Sequence, residues 1–298
     1  MRVTANYGIG RPVPFVDVHV ERDNALYLDP SAIRNGTDAR SKRAHKILVD
    51  FFTEVLRLRR SASAADQARG LGLLQNLHEP NQTRLGVSAI GNIGGKAFGP
   101  ELAKDLWDEL GVNPAARADV LTRLEHLPVF LNKVGPDLIS DLTTRIIFEV
   151  LVDFTHDMMT RYPSLTTRKS IERVALYNSS TTAWVPTDVE LPVLAPHQLL
   201  LIPKEWVYWR LVMWSEPFYN RFATQTVQTE RSTRDGRGRL IRPSKKSLNQ
   251  EFSDHRRLNN TQAVKYKQNR DLVGEYQEFV DREFEPLSDD EIERRTGS

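Results

Sequence analysis

Carboxylates at two places in the chain have the spacing that metal-assisted chemistry requires. Asp137 and Asp141 lie four residues apart in "VGPDLISDL", directly after a short apolar run. Asp188 and Glu190 lie two residues apart in "TDVELPVL", which puts both on one face of a strand because side chains alternate along it. Lys204 follows at the end of the next apolar segment. Carboxylates bind Mg²⁺, and a bound Mg²⁺ beside a lysine would stabilise a phosphodiester under attack.

This arrangement resembles the active site of PD-(D/E)XK nucleases, in which carboxylates at strand ends hold Mg²⁺. The dipeptide Pro136-Asp137 is similar to the first acidic element of that site. The acid and lysine two residues apart are missing, because neither E-x-K nor D-x-K occurs anywhere in the chain. The resemblance therefore implies a rearranged site, with Asp137 and Asp141 as metal ligands. Its full catalytic set would be Asp137, Asp141, Asp188, Glu190 and Lys204.

The same two aspartates also have a structural interpretation. Asp137 or Ser140 would cap a helix, and Asp141 in the first turn would interact favourably with the helix dipole. Acidic residues are common at helix starts, so the sequence favours capping over metal binding. No cofactor is certain from the sequence, and Mg²⁺ is predicted only for a nuclease.

The segment "IGNIGGKAFG" has the glycines and the lysine, Lys96, of a phosphate-binding loop. It departs from the strict P-loop pattern, since Ile90 stands five residues before Gly95 and Ala97 follows Lys96. The sequence therefore favours a flexible loop, or one that lies on a nucleic-acid backbone, over nucleotide hydrolysis.

Basic residues are concentrated late in the chain. The net charge of +2 gives no global attraction to nucleic acid. Residues 221–270, however, hold thirteen basic and four acidic residues, whereas residues 271–298 hold three basic and ten acidic residues. We expect a basic segment that binds phosphates and an acidic tail that can fold over it and mask it. The candidate nucleic-acid-binding residues are Lys96, Arg234, Arg237, Arg239, Arg242, Lys245 and Lys246.

Aromatic residues cluster in "KEWVYWRLVMW". Trp206, Trp209 and Trp214, with Tyr208, have the side chains that stack on bases. Aromatics at helical spacing beside an apolar run are more often buried or part of a subunit interface, and the sequence favours an interface.

Composition limits the setting of the protein. The chain has no cysteine, which excludes disulfides and thiolate metal sites and fits a reducing cytosol. It has no apolar run of membrane-spanning length, and "MRVTANYGIGRPVPF" lacks the apolar region of a secretory signal. We expect a soluble, cytoplasmic protein that does not contact the membrane.

The elements that must position these residues follow from the apolar periodicity. It predicts a hairpin in "PFVDVHVERDNALYLDP" and helices over about residues 38–60, 64–78, 99–110 and 113–126. A helix of five or six turns is predicted from Asp137. The predicted strands are "LPVFLNKV", "IERVALYN", "AWVPTDVELPVL" and "HQLLLIP", and "KEWVYWRLVMW" is predicted to turn helical.

These elements predict an α+β fold, mostly helical with a small mixed or antiparallel sheet, plus a polar helical C-terminal extension. The predicted domains are an α+β core over residues 1–220 and, over residues 221–298, a flexible basic linker with a charged helical extension.

Four stretches together resemble a large, poorly characterised family of bacterial proteins associated with defence islands and mobile elements: "FVDVHVERDNALYLDP", "HEPNQTRLGVS", "VGPDLISDLTTRII" and "LLLIPKEWV". The resemblance covers most of residues 10–210 and departs from the family pattern near residues 155–170. It implies defence against phage or plasmids and transfers no catalytic residue.

Two functions are therefore predicted, and the sequence leaves open whether the chain is an enzyme. The first is a subunit of a bacterial antiphage or plasmid defence complex, which binds DNA or RNA and other protein subunits of the system. A homo-oligomer is compatible with this role. The alternative is a Mg²⁺-dependent PD-(D/E)XK-like nuclease with a rearranged active site.

Overall fold

Most of the described chain is helical. The computed structural model describes residues 1–78, 80–86, 99–194 and 197–297. Within these residues no helix is long and apolar enough to cross a membrane. In chain order the helices are α1 (Val3–Tyr7), α2 (Pro30–Asn35), α3 (Ala39–Arg60), α4 (Ala64–Gln75), α5 (Pro100–Val112), α6 (Pro114–Arg117), α7 (Leu127–Phe130), α8 (Pro136–Ile146), α9 (Phe148–Arg161), α10 (Ser215–Phe218), α11 (Thr224–Glu230), α12 (Lys245–Glu251), α13 (His255–Tyr266), α14 (Leu272–Glu283) and α15 (Asp289–Arg295).

The described strands form small antiparallel sheets. The strands are β1 (Tyr27–Leu28), β2 (Lys169–Asn178), β3 (Ala183–Leu194), β4 (His197–Gln198), β5 (Val207–Tyr208), β6 (Thr233–Arg234) and β7 (Leu240–Ile241). Their orders are β1-β5, β2-β3-β4 and β6-β7. The architecture is α+β, as the sequence predicts.

The core is built around α3. Asp38 begins this helix by accepting hydrogen bonds from the backbone N–H groups of Arg40 and Ser41. The apolar face predicted for α3 is buried, and Phe51 packs edge-on against Tyr177 of β2 with ring centroids 4.8 Å apart. The long β2-β3 hairpin therefore lies against the helix that the sequence predicts most clearly.

The predicted hairpin over residues 15–28 is wrong, because its two halves pair with distant segments. Phe15 forms a bridge with Pro203, and β1 pairs with β5 through Leu28 opposite Val207. Asn24 forms bridges with Gly86 and with Thr296. The alternating apolar pattern does indicate an extended chain, but this pattern alone does not identify the segment with which the extended chain pairs.

Two further element predictions are wrong, the first of them where the chain is buried on every side. "LPVFLNKV" is predicted as a strand but contains α7, and its residues 127 and 129–131 are almost fully buried. The segment after Lys204 is predicted as a helix but forms a 3₁₀ turn followed by β5. A run of buried apolar residues has neither a helical nor a strand period.

The helix predicted from Asp137 is two consecutive helices. α8 ends at Ile146 and α9 begins at Phe148, with Ile147 between them at φ −100° and ψ 19°. Both helices keep their buried faces towards the core, so the apolar period runs through the break unchanged.

The C-terminal helices are attached to the rest of the chain by buried asparagines on α13. The Nδ2 atom of Asn259 donates to the backbone oxygens of Val129 and Ser215, each at 3.1 Å. The Nδ2 atom of Asn260 donates to the backbone oxygen of Phe130 at 2.9 Å, and its Oδ1 atom accepts from Ala115 N at 3.2 Å. Residues 221–298 thus contribute buried residues to the core, while their assignment as a separate domain stays a prediction.

The acidic tail pairs with cations in several parts of the chain: Glu275 pairs with Arg270 of the basic segment at 2.5 Å, and masking of the other cations of that segment stays a prediction. Its ion pairs include Asp281 with Arg34 and Asp289 with Lys204, the latter at 2.6 Å. The Arg34 guanidinium is itself buried and also pairs with Glu125 at 2.9 Å. The tail therefore neutralises cations among residues 1–220 as well as Arg270.

We expect Asn260→Ala to destabilise the protein by about 1 to 3 kcal/mol, because two buried hydrogen bonds to Phe130 and Ala115 are lost, although Asn113 still bonds to both backbone groups. Chemical denaturation measures this change in the free energy of unfolding. The exposed neighbour Thr261 is the control, since Thr261→Ala removes only a hydrogen bond to its own helix at the surface. Equal stability of Asn260→Ala and the wild type would contradict the role given to α13.

Candidate nucleic-acid interface

Six of the predicted nucleic-acid-binding residues lie together on an exposed β-hairpin. We call residues 233–246 the basic hairpin; it comprises β6, a tight turn, β7 and the first residues of α12. Its basic side chains are all exposed: Arg234, Arg237, Arg239, Arg242, Lys245 and Lys246. The segment predicted as a flexible linker is therefore an ordered hairpin, and the structure brings these six candidates to one surface.

The turn of the hairpin is organised by Asp235. Its Oδ1 atom accepts from the backbone N–H groups of Arg237 at 2.9 Å and Arg239 at 2.8 Å. Gly238 donates its N–H to the Asp235 carbonyl oxygen and has φ +77°, a conformation that favours glycine. Arg234 Nη1 donates to the Gly238 carbonyl oxygen at 2.8 Å. The tip is thus held by its own hydrogen bonds.

The base of the hairpin is attached to the two neighbouring helices. Gln228 on α11 donates to the carbonyl oxygen of Pro243 at 2.8 Å. Arg231 donates to both carboxylate oxygens of Glu251, at 2.6 and 2.8 Å. These hydrogen bonds raise the pKa of Arg231 and lower the pKa of Glu251. The hairpin therefore projects from a fixed base.

The charge of the hairpin is not neutralised from within the described chain. Residues 231–247 contain seven basic residues and one acidic residue, Asp235. Arg231 is paired with Glu251, but no carboxylate in the described residues lies within 4.0 Å of the six hairpin cations. Many other surface cations are paired, such as Arg43 with Asp153 at 2.5 Å. The hairpin is therefore a local positive patch on a nearly neutral protein.

The predicted carboxylates of β3 are engaged in ion pairs across the sheet. Asp188 lies directly opposite Arg173, whose Nη1 atom is 3.4 Å from its Oδ1 atom. Glu190 Oε2 lies 2.6 Å from Lys169 Nζ. The two acids share one face of the strand, as their spacing predicts. Lys204, the fifth residue of the proposed catalytic set, pairs instead with Asp289.

Asp137 and Asp141 lie on α8, and the capping interpretation is wrong in its details. The N-cap of α8 is Gly135, no side chain caps it, and Asp141 lies beyond the first turn. Ser140 Oγ accepts from the backbone N–H of Leu28. Asp137 does lie in the first turn. Burial raises the pKa of Tyr27, and the negative charge of Asp137 raises it further.

The described residues show no assembled metal site. No group of three or more His, Asp or Glu side chains in them has a geometry that could hold a metal ion. Asp137 and Asp141 are thus not gathered with Asp188 and Glu190 around one point. Lys96 and the rest of residues 90–98 in the glycine-rich segment lie outside the described residues. The nuclease alternative stays an untested prediction.

The tryptophans have different environments. Trp206 is fully buried and its Nε1 atom donates to Ser41 Oγ at 2.9 Å, so it belongs to the core. Trp209 is 37% exposed, and the guanidinium groups of Arg210 and Arg295 lie 4.4 and 4.8 Å from its ring centroid. Its ring is therefore already in contact with two arginines.

The residues that shape the hairpin are not among those predicted from the sequence. Asp235 and Gly238 order its turn, and Leu240 and Ile241 are 49% and 53% exposed on β7. The sequence does contain a signal for this turn, the dipeptide Asp235-Gly236. Asp-Gly between two segments that can form strands is typical of a β-hairpin turn. The high density of charge favours the prediction of a linker instead.

We expect Asp188→Asn with Glu190→Gln to change the free energy of unfolding by less than about 1 kcal/mol, since both acids are in surface ion pairs. Thermal unfolding with and without Mg²⁺ should give the same melting temperature for this variant and the wild type. The double variant Asp137→Asn with Asp141→Asn is compared in the same way, because these two aspartates are the other predicted carboxylate pair. A Mg²⁺-dependent stabilisation of the wild type that either double variant loses would support the nuclease alternative.

Comparison with known proteins gives a family and no further match. No curated protein and no solved structure matches the chain. The model of one family, described as Domain of unknown function (DUF8370), matches residues 10–214, which is more than half of the chain. The basic hairpin lies beyond the matched residues. The chain belongs to the DUF8370 family.

Proposed function

We propose that the protein binds nucleic acid through the basic hairpin and acts as a non-catalytic subunit of a larger bacterial complex. The observation that carries the proposal is the group of six exposed cations without a carboxylate partner in the described residues. Phosphates attract such a group because each lysine or arginine that contacts the backbone releases condensed counterions.

The order of the hairpin supports the proposal. The bonds of Asp235 fix the tip, and the pair between Arg231 and Glu251 fixes the base. A fixed array of cations loses less conformational entropy on binding than a flexible chain does. Asp235 is the only acid in residues 231–247, and one of its carboxylate oxygens accepts two backbone hydrogen bonds.

The partner-protein part of the proposal is supported by apolar side chains at the surface. Ile171 and Val185 on the β2-β3 hairpin are 65% and 42% exposed, and Trp209 is 37% exposed. Exposed aromatic and aliphatic residues are typical of protein interfaces. Defence against phage or plasmids is the proposed setting, and it derives from the sequence resemblance.

Deletion of residues 221–298 is a poor test of nucleic-acid binding. It would remove Asn259, Asn260 and Tyr276, which are buried in the core, together with the hairpin. Substitutions of exposed hairpin residues change the charge and leave those contacts in place.

We expect Arg237→Ala with Arg239→Ala to weaken binding of nucleic acid. On a DNA duplex, the slope of log affinity against log salt should fall by about 0.9 for each phosphate that the variant no longer neutralises. Fluorescence anisotropy over a series of salt concentrations measures both quantities. Lys42→Ala with Arg117→Ala is the matched control, because these exposed residues lie elsewhere and the net charge changes by the same amount.

The control pair should bind as the wild type does, with an unchanged salt slope. Equal loss of affinity in both double variants would mean that overall charge, and not the hairpin, attracts nucleic acid. Absence of binding by the wild type at low salt would reject the proposed function.

A further inference from the structure

The basic hairpin has the dimensions of a groove-binding ribbon. β6 and β7 pair antiparallel, with Arg234 opposite Leu240 and Thr233 opposite Ile241. Paired strands lie about 4.8 Å apart, so a two-stranded ribbon with its side chains fits the major groove of B-form DNA, which is about 12 Å wide.

This ribbon carries arginines beside two aliphatic side chains. Cross-strand pairing places Arg234 beside Leu240, and Arg239 and Arg242 flank the two-residue strand β7. Leu240 and Ile241 are 49% and 53% exposed, although both are large and apolar. Arginine can donate two hydrogen bonds to guanine, and an apolar side chain can contact the methyl group of thymine. Both groups lie in the major groove.

The composition of the segment disfavours the other forms of nucleic acid. Single strands are held mainly by stacking of their bases on aromatic side chains, and residues 231–251 contain no Phe, Tyr or Trp. The major groove of an A-form RNA duplex is too deep and narrow for side chains to read. The remaining target is a DNA duplex.

We infer that the ligand of the basic hairpin is B-form duplex DNA, which the ribbon enters through the major groove. This inference rests on the proposed function and specifies its substrate. Arg234, Arg239 and Arg242 reach base edges or the phosphates at the groove walls. Lys245 and Lys246, at the start of α12, contact the flanking phosphates.

The first test compares three ligands of equal length on the wild-type full-length chain: a DNA duplex, the single DNA strand and an RNA duplex. At one salt concentration the DNA duplex should bind about tenfold more tightly than either of the others, as expected for contacts that only its groove provides. Methylation of guanine N7, which lies in the major groove, should weaken binding, whereas a minor-groove ligand should not compete.

The second test changes the shape of the hairpin without changing its charge. Gly238 has φ +77°, so Gly238→Ala strains the turn, although a Cβ there would meet no atom within 4 Å. Gly236 has the same open surroundings without a positive φ, which makes Gly236→Ala the matched control. Gly238→Ala should weaken duplex binding about fivefold, and Gly236→Ala should leave it unchanged.

The outcomes separate this inference from the proposed function. Similar affinity for all three ligands, or tighter binding of the single strand or of RNA, would overturn the inference that the hairpin enters the major groove. The proposal of a hairpin that binds phosphates would remain. Equal binding by Gly238→Ala and Gly236→Ala would also overturn it. Absence of binding to any ligand would overturn both.

Discussion

The arrangement of the C-terminal half depends on two asparagine side chains that satisfy backbone groups inside the protein. α7 is only four residues long, so most of its carbonyl groups have no partner within the helix. Asn259 and Asn260 donate to the carbonyl oxygens of Val129 and Phe130, and Asn260 also accepts from Ala115 at the start of α6. Buried backbone groups without a partner are costly, and Asn259 supplies the partner of the Val129 carbonyl oxygen, so α13 stabilises α7 where it lies. α13 also contacts α11, where Thr226 Oγ1 donates to Gln262 Oε1 at 3.1 Å, and α11 holds one side of the base of the basic hairpin through Gln228.

Charge is distributed so that one surface stays positive on a nearly neutral protein. The acidic tail pairs with cations far from it in sequence, such as Arg11 through Glu293 at 2.9 Å and Lys204 through Asp289. These pairs join the C-terminal helices to the family domain. A field confined to one projecting element orients a polyanion better than the same charge spread over the surface.

The parts of the fold that were predictable are those with one buried and one exposed face. α3 shows a 3.6-residue apolar period after the Asp38 cap, and β2 and β3 are long enough to show alternation. α7 is buried all round, so its residues carry no period that the sequence could reveal, whereas the segment after Lys204 has buried Trp206 and exposed Trp209 only three residues apart. Isolated bridges such as that between Phe15 and Pro203 depend on distant packing and have no local signal.

The candidate site was predictable in its charges and not in its shape. Composition alone identified the six hairpin cations, whereas the hydrogen bonds of Asp235 that order them appear only in three dimensions. The spacing of Asp188 and Glu190 correctly placed both on one strand face. It could not show that Arg173 and Lys169 on the neighbouring strand would pair with them. Two carboxylates with this spacing could bind a metal ion or pair with two basic side chains. Which of the two occurs depends on the side chains of the neighbouring strand, which the spacing does not reveal.

Amine-reactive footprinting of the full-length chain, read by mass spectrometry, tests whether the basic hairpin binds duplex DNA. It reports which lysines a bound DNA duplex covers, without any substitution in the protein. We expect the duplex to lower modification of Lys245 and Lys246 and to leave modification of the exposed Lys42 and Lys133 unchanged. Unchanged modification of Lys245 and Lys246 in the presence of bound DNA, with protection of lysines elsewhere, would contradict it.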